Sequence, residues 1–199
     1  MKKILHVMAS PRGTASISRQ LGDSITTQLA ATNPGSVVTT VDLNVNPFPH
    51  LFEAQIDALR IPADRLTEAQ KELTKRSDEA IAQVLEADSI VISLPLYNFG
   101  IPSPLKSWID NIARAGYTFS YGADGPKGLV EGKKVYIALA SGGVFSEGPF
   151  KEYDFAVPYL KTVLGFMGIT DVEVIRAEGT AVSGLMEHAL ERAIERIAV

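Results

Sequence analysis

Five short apolar runs punctuate the chain, and helical periodicity fills the gaps between them. Lys3 to Met8, Ala87 to Leu94 and Lys133 to Leu139 are apolar almost throughout, the pattern of strands buried on both faces of a parallel sheet. Ser36 to Leu43 is half polar and Asp171 to Ala177 alternates, so both read as sheet edges. Ile17, Leu21, Ile25 and Leu29 recur every four residues, forming one helix face that ends near Asn33-Pro34-Gly35. Thr67-Glu68-Ala69-Gln70 is a capping-box pattern opening a helix with Leu73, Ala80, Ile81, Val84 and Leu85 inward. Further helices follow from Ser103-Pro104, with Ser103 as N-cap, from Pro158 to Met167, and from Ser183 to Ile197. Residues 44–65, with Pro47, Pro49 and Pro62, show no clean period and read as a long irregular connection.

Strands alternating with helices call for an α/β fold: a five-stranded doubly wound parallel sheet, order 2-1-3-4-5, helices on both faces, in a single domain over 1–199. In that order strands one, three and four are neighbours, so the loops after them converge on one rim, where ligands bind. The first loop carries Ser10, Ser16, Ile17 and Ser18, hydroxyls leading into a helix amino terminus. Free amides and the positive end of a helix dipole suit a phosphate there, although a simple cap at Ser16 would look the same. It is neither a P-loop nor a dinucleotide fingerprint. The second loop, Pro95-Leu96-Tyr97-Asn98-Phe99, holds two aromatics where a connector needs none, and points to a planar aromatic ligand. The third, Ala140-Ser141-Gly142-Gly143, lets backbone approach a flat ligand closely.

At 46% hydrophobic and 21% charged, with a net charge of −4, the composition is that of an ordinary globular protein and argues against nucleic acid. No apolar run is long enough to span a bilayer, and Met1-Lys2-Lys3-Ile4 leads straight into a strand, so a membrane partner and a signal peptide are not expected and cytoplasm is the default. Without cysteine there is no thiol chemistry, and His6, His50 and His188 lack metal-ligand spacing. Trp108 falls at helical spacing with Leu105, Ile109 and Ile112 and reads as core or subunit contact. Tyr117, Phe119 and Tyr121 alternate along an extended segment, either a small hairpin or a wall of a substrate pocket.

Four stretches together resemble one family over nearly the whole chain. They are the Ser10…Ser16-Ile17-Ser18 loop, Pro95-Leu96-Tyr97-Asn98-Phe99, Arg114-Ala115-Gly116-Tyr117-Thr118-Phe119, and Leu164 to Asp171. The chain is similar to the FMN-dependent NADH azoreductases, which stand with the flavodoxin-like NAD(P)H quinone reductases. The resemblance implies a homodimer with bound FMN and NADH as donor, NADPH being the alternative. It also implies ping-pong two-electron transfer to quinones or azo compounds. It places the FMN phosphate at Ser10 and Ser16 to Ser18, and the flavin ring at Leu96 to Phe99 and Ala140 to Gly143. At the last loop the family often has Ser-Arg-Gly-Gly, and Ala140-Ser141 departs from that. The flavin would carry the chemistry, with no catalytic side chain, and Phe119 and Tyr121 are the candidates for an aromatic substrate wall. Two rivals stand beside it: an FMN electron shuttle with no substrate of its own, and a serine hydrolase using Ser10, which lacks Gly-x-Ser-x-Gly.

Overall fold

The computed structural model describes residues 1–199. Parallel strands β1 (Lys3–Met8), β2 (Val37–Asp42), β3 (Ser89–Pro95), β6 (Lys134–Ala140) and β7 (Asp171–Ala177) form one sheet in the order β2-β1-β3-β6-β7. A separate antiparallel pair, β4 (Phe119–Gly122) and β5 (Gly125–Gly128), lies outside it. Setting that hairpin aside, the order is the expected 2-1-3-4-5, and the chain has the flavodoxin-like fold.

Period-two alternation divides the apolar strand residues between two cores. Leu5 and Val7 of β1, Ile90, Ile92 and Leu94 of β3, and Val135, Ile137 and Leu139 of β6 face the larger core. It is closed by α3 (Glu68–Glu86), α4 (Ser103–Ile112) and α5 (Ala156–Phe166). Ile4, Val91, Tyr136 and Ala138 face the smaller one, under α1 (Ile17–Thr32) and the short α6 (Ala189–Ile194). Trp108 is fully buried in the larger core, as its spacing predicts. The polar run of β2 stands at an open edge, with Val37 and Val38 exposed. No helix is long and apolar enough to cross a membrane.

Four expectations need correction. Residues 44–65 are irregular only as far as residue 52: α2 (Glu53–Arg60) then forms and meets α4, where Gln55 Nε2 donates to Asn111 Oδ1 at 3.0 Å. Its eight residues bury only Gln55 and Ala58, too few for an apolar period to show. Ser103 is the first residue of α4 rather than its cap; Pro102 takes that position, and no side chain caps the helix. The last helix is confined to Ala189–Ile194: Gly184 takes a left-handed φ of 80°, and Met186–His188 form a 3-10 turn before it. Leu85 is exposed, while Thr74 and Ser77 take buried positions on α3. There the Thr74 hydroxyl donates to the Lys71 carbonyl and Asp78, and the Ser77 hydroxyl to the Asn111 carbonyl.

Candidate functional site

The carboxyl ends of β1, β3 and β6 lie side by side, and their loops meet around a cavity of about 120 Å³. The first loop contributes Ser10, Ser16, Ile17 and Ser18; the second Pro95, Leu96 and Tyr97; the third Ala140 and Gly142. Asn98, Phe99, Ser141 and Gly143 flank these residues without lining the cavity. Two lining residues escaped the sequence reading, Arg12 and Thr180. Arg12 could have been found as the cation between the hydroxyls of Ser10 and Ser16. Thr180 is remote in sequence and reaches the rim only because its amide and hydroxyl both donate to the Ser141 carbonyl, at 3.1 and 3.0 Å.

The first loop has features that suit an anion. Ser16 sits at the amino end of α1, its Oγ accepting from the Arg19 amide at 3.3 Å and lying 3.0 Å from Ser18 Oγ. The amides of Ile17 and Ser18 are first-turn donors with no acceptor inside the helix. Ser10, Ser16 and Ser18 are all buried, with Ser10 Oγ accepting only a long 3.4 Å bond from the Arg12 amide. Buried hydroxyls, spare amides and a nearby guanidinium fit a phosphomonoester at the positive end of a helix dipole. The cavity is smaller than the roughly 300–1,000 Å³ of a whole cofactor pocket, so a phosphate head would enter it while an attached ring lay across the rim.

The second loop turns back on itself. Tyr97 and Gly100 exchange backbone hydrogen bonds of 3.1 and 3.0 Å, which leaves Asn98 and Phe99 as the two central residues of a tight turn. Both have positive φ, 47° and 70°. That is the left-handed conformation of a type I′ turn, where glycine is preferred and a phenylalanine costs about 1 kcal/mol or more. The third loop uses its side chain on itself, since Ser141 Oγ donates to the Gly143 carbonyl at 2.8 Å. Ser141 is buried and Ala140 lines the cavity, so this loop offers a ligand backbone and small side chains rather than a charge.

Phe119 and Tyr121 stand elsewhere. Phe119 is buried, its ring 4.5 Å from Phe166 at the carboxyl end of α5 and 5.5 Å from Tyr121. That end of α5 lies opposite the rim, because the helices run antiparallel to the strands. Tyr121 is 72% exposed, so within one subunit neither ring reaches the cavity.

The histidine that might activate a serine pairs with the wrong one. His6 Nε2 and Ser93 Oγ share a 2.7 Å hydrogen bond, and Asp23 stands 3.5 Å from His6 Nδ1, an acid–histidine–serine series in outline. Both His6 and Ser93 are buried beneath Gly22 of α1, where even an added Cβ would fall 1.8 Å from Ser93 Oγ. No carbonyl substrate could approach that oxygen, and Ser10 has no histidine partner. The series is a packing device.

A profile of the flavodoxin-like fold matches residues 2–199. Over 195 residues the chain is 48% identical to a protein of Rhizobium johnstonii named FMN-dependent NADH:quinone oxidoreductase, spanning 98% of this chain and 94% of that one. A protein of the same name from Dechloromonas aromatica is 51% identical over 179 residues, 90% of this chain and 88% of that one. Among solved structures, an FMN-dependent NADH-azoreductase from Bacillus anthracis in complex with FMN superposes with a TM-score of 0.88 at 30% identity, covering 99% of this chain and 96% of that one.

Proposed function

The chain belongs to the flavodoxin-like fold family, and from that membership we propose that it is an FMN-dependent NADH:quinone oxidoreductase with azoreductase activity. The observation that carries the reading is the meeting of a phosphate-type helix terminus, an aromatic turn and a small-residue loop around one cavity. The names of the relatives agree with it.

Bound there, FMN would supply a two-electron carrier between a nicotinamide and an acceptor. The chain's residues do the rest. Ile17 and Ser18 amides, the Ser10, Ser16 and Ser18 hydroxyls and Arg12 hold the phosphate. Pro95 to Phe99 and Ala140 to Gly143 would seat the ring edge; of their amides, those of Asn98, Phe99, Gly142 and Gly143 make no backbone hydrogen bond and would stabilise negative charge that gathers on it. On this reading the strained turn at Asn98 and Phe99 stands where the ring edge would meet the rim, and its unbonded amides are the groups it would offer. Donor and acceptor would occupy the same exposed face in turn, which is ping-pong order. NADH plus a proton and a quinone give NAD⁺ and the hydroquinone; an azo bond takes two such turnovers to yield two amines. The family resemblance carries the further reading that the protein works as a homodimer; the exposure of Tyr121 leaves it free to stand beside the partner's ring site, whereas Phe119 is buried.

Purified protein loaded with FMN and mixed anaerobically with NADH tests this. Prompt bleaching of a protein-bound flavin band, followed by recovery on adding a quinone, is expected. Bound flavin that NADH leaves oxidised would indicate an electron shuttle instead. Ser16→Ala combined with Ser18→Ala should raise the FMN dissociation constant by about tenfold or more, the scale of a lost hydrogen bond to a charged group.

A further inference from the structure

Beside the cavity, four aromatic side chains close into a ring that belongs to neither core. Phe99 lies 5.4 Å from Tyr153 and 6.3 Å from Phe145; Phe150 lies 6.2 Å from Tyr153 and 6.4 Å from Phe145. Phe99, Phe150 and Tyr153 remain 47%, 55% and 47% exposed. A folded chain gains little by holding three half-exposed rings together at its surface, and contiguous exposed apolar patches of this kind mark binding sites.

Ionic anchors hold the segment that carries them. Arg176 on β7 pairs with both Asp154 and Glu178. Asp154 Oδ1 accepts the Ala156 and Val157 amides, and Glu178 accepts the Phe145 and Ser146 amides and the Ser146 hydroxyl. The segment is also tied to the strained turn, since the Phe155 amide donates to the Phe99 carbonyl at 3.0 Å. The rings are thus fixed relative to the turn that seats the flavin edge in the reading above.

We propose that Phe99, Phe145, Phe150 and Tyr153 form the acceptor subsite, a platform selective for flat molecules of two or more fused aromatic rings. The occupant follows from continuity with the ring site through Phe99, from the absence of charge among the four side chains, and from the preference of aromatic rings for offset or edge contacts with other rings. The inference rests on the proposed reductase function.

The test compares the FMN-loaded wild type with Phe150→Leu/Tyr153→Leu, which keeps apolar bulk and removes the rings. Two readouts are taken: calorimetric binding of 2-naphthol, which is not reduced, and the ratio of kcat/KM for 1,4-naphthoquinone to that for ferricyanide. The naphthol dissociation constant should rise about tenfold and the ratio fall about tenfold. Naphthol affinity and ratio both within twofold of wild type would overturn the proposal. So would an equal loss with both acceptors accompanied by a change from dimer to monomer in sedimentation, which would make the rings a subunit contact. Wild-type protein whose flavin NADH leaves oxidised would instead remove the reductase reading, and this inference with it.

Discussion

His6 shows what a single buried side chain costs and where the cost appears. Burial under α1 is the dominant influence on its ionisation and pulls its pKa from 6.5 down to about 4, against the opposing pull of Asp23. Burial is what favours the neutral form, with Ser93 Oγ 2.7 Å from His6 Nε2. The unfolded chain therefore takes up a proton before the folded one does. Stability from this residue is complete above pH 6.5 and is lost as pH falls toward 4; by pH 5 the loss is about 2 kcal/mol. Urea midpoints at pH 7 and pH 5 should differ accordingly, and His6→Gln should flatten that difference while lowering stability at pH 7. At this scale the sequence was partly legible. The hydroxyls at 10, 16 and 18, with the helix start that follows them, marked a loop that does line the rim cavity. The pairing of His6 with Ser93 was not legible, because it depends on β1–β3 register and on a glycine at 22 that only the packed helix explains.

Among the elements, the loop after α4 illustrates how a distinctive motif can be structural. Arg114 is buried, its Nε donating to the Leu59 carbonyl of α2, its Nη1 to Asp78 of α3, and its guanidinium stacked 4.1 Å from the Tyr117 ring. Thr118 closes the turn, its hydroxyl donating to the Ile112 carbonyl at 2.7 Å. One planar cation thus joins three helices at the end of the sheet away from the rim. Arg114→Ala should lower stability by about 2 kcal/mol, less than a wholly buried pair, because the Asp78 side chain it leaves behind is 46% exposed. Arg114→Lys should recover little, since an ammonium cannot bond and stack in one plane; thermal unfolding of the two variants checks both statements, with FMN affinity unchanged. Strands β1, β3 and β6 could be read from the sequence because burial on both faces demands an unbroken apolar run. Helix α2 could not, because it sits on α3 and α4 through a polar pair, Gln55 with Asn111, rather than an apolar stripe. The four-ring cluster was missed for a similar reason: Phe145 lies in a loop and Phe150 and Tyr153 on a six-residue 3-10 turn, Gly148–Tyr153, too short to show a period, and only the folded chain brings them to Phe99.

For the molecule as a whole, the hairpin poses the question of a second subunit. Phe119 is a packing residue and Tyr121 an exposed one, so substituting them should have separate consequences. Phe119→Ala should cost about 3 kcal/mol or more of stability through the cavity it leaves beside Phe166. Tyr121→Ala should leave the melting temperature near that of wild type and raise the acceptor KM, if the proposed dimer brings that ring to its partner's site. An unchanged KM would confine the hairpin to a structural part.

The pairing of Arg176 with Asp154 and Glu178 has a kinetic consequence as well. Four backbone amides, those of Phe145, Ser146, Ala156 and Val157, end on two carboxylates that one guanidinium holds together. None of them can be released alone for long without disturbing the others. In deuterium exchange they should open as one cooperative unit, with nearly equal protection, although ten residues separate Phe145 from Ala156. Arg176→Gln should collapse that protection at all four together and leave the strand amides of β1 and β3 as slow as before.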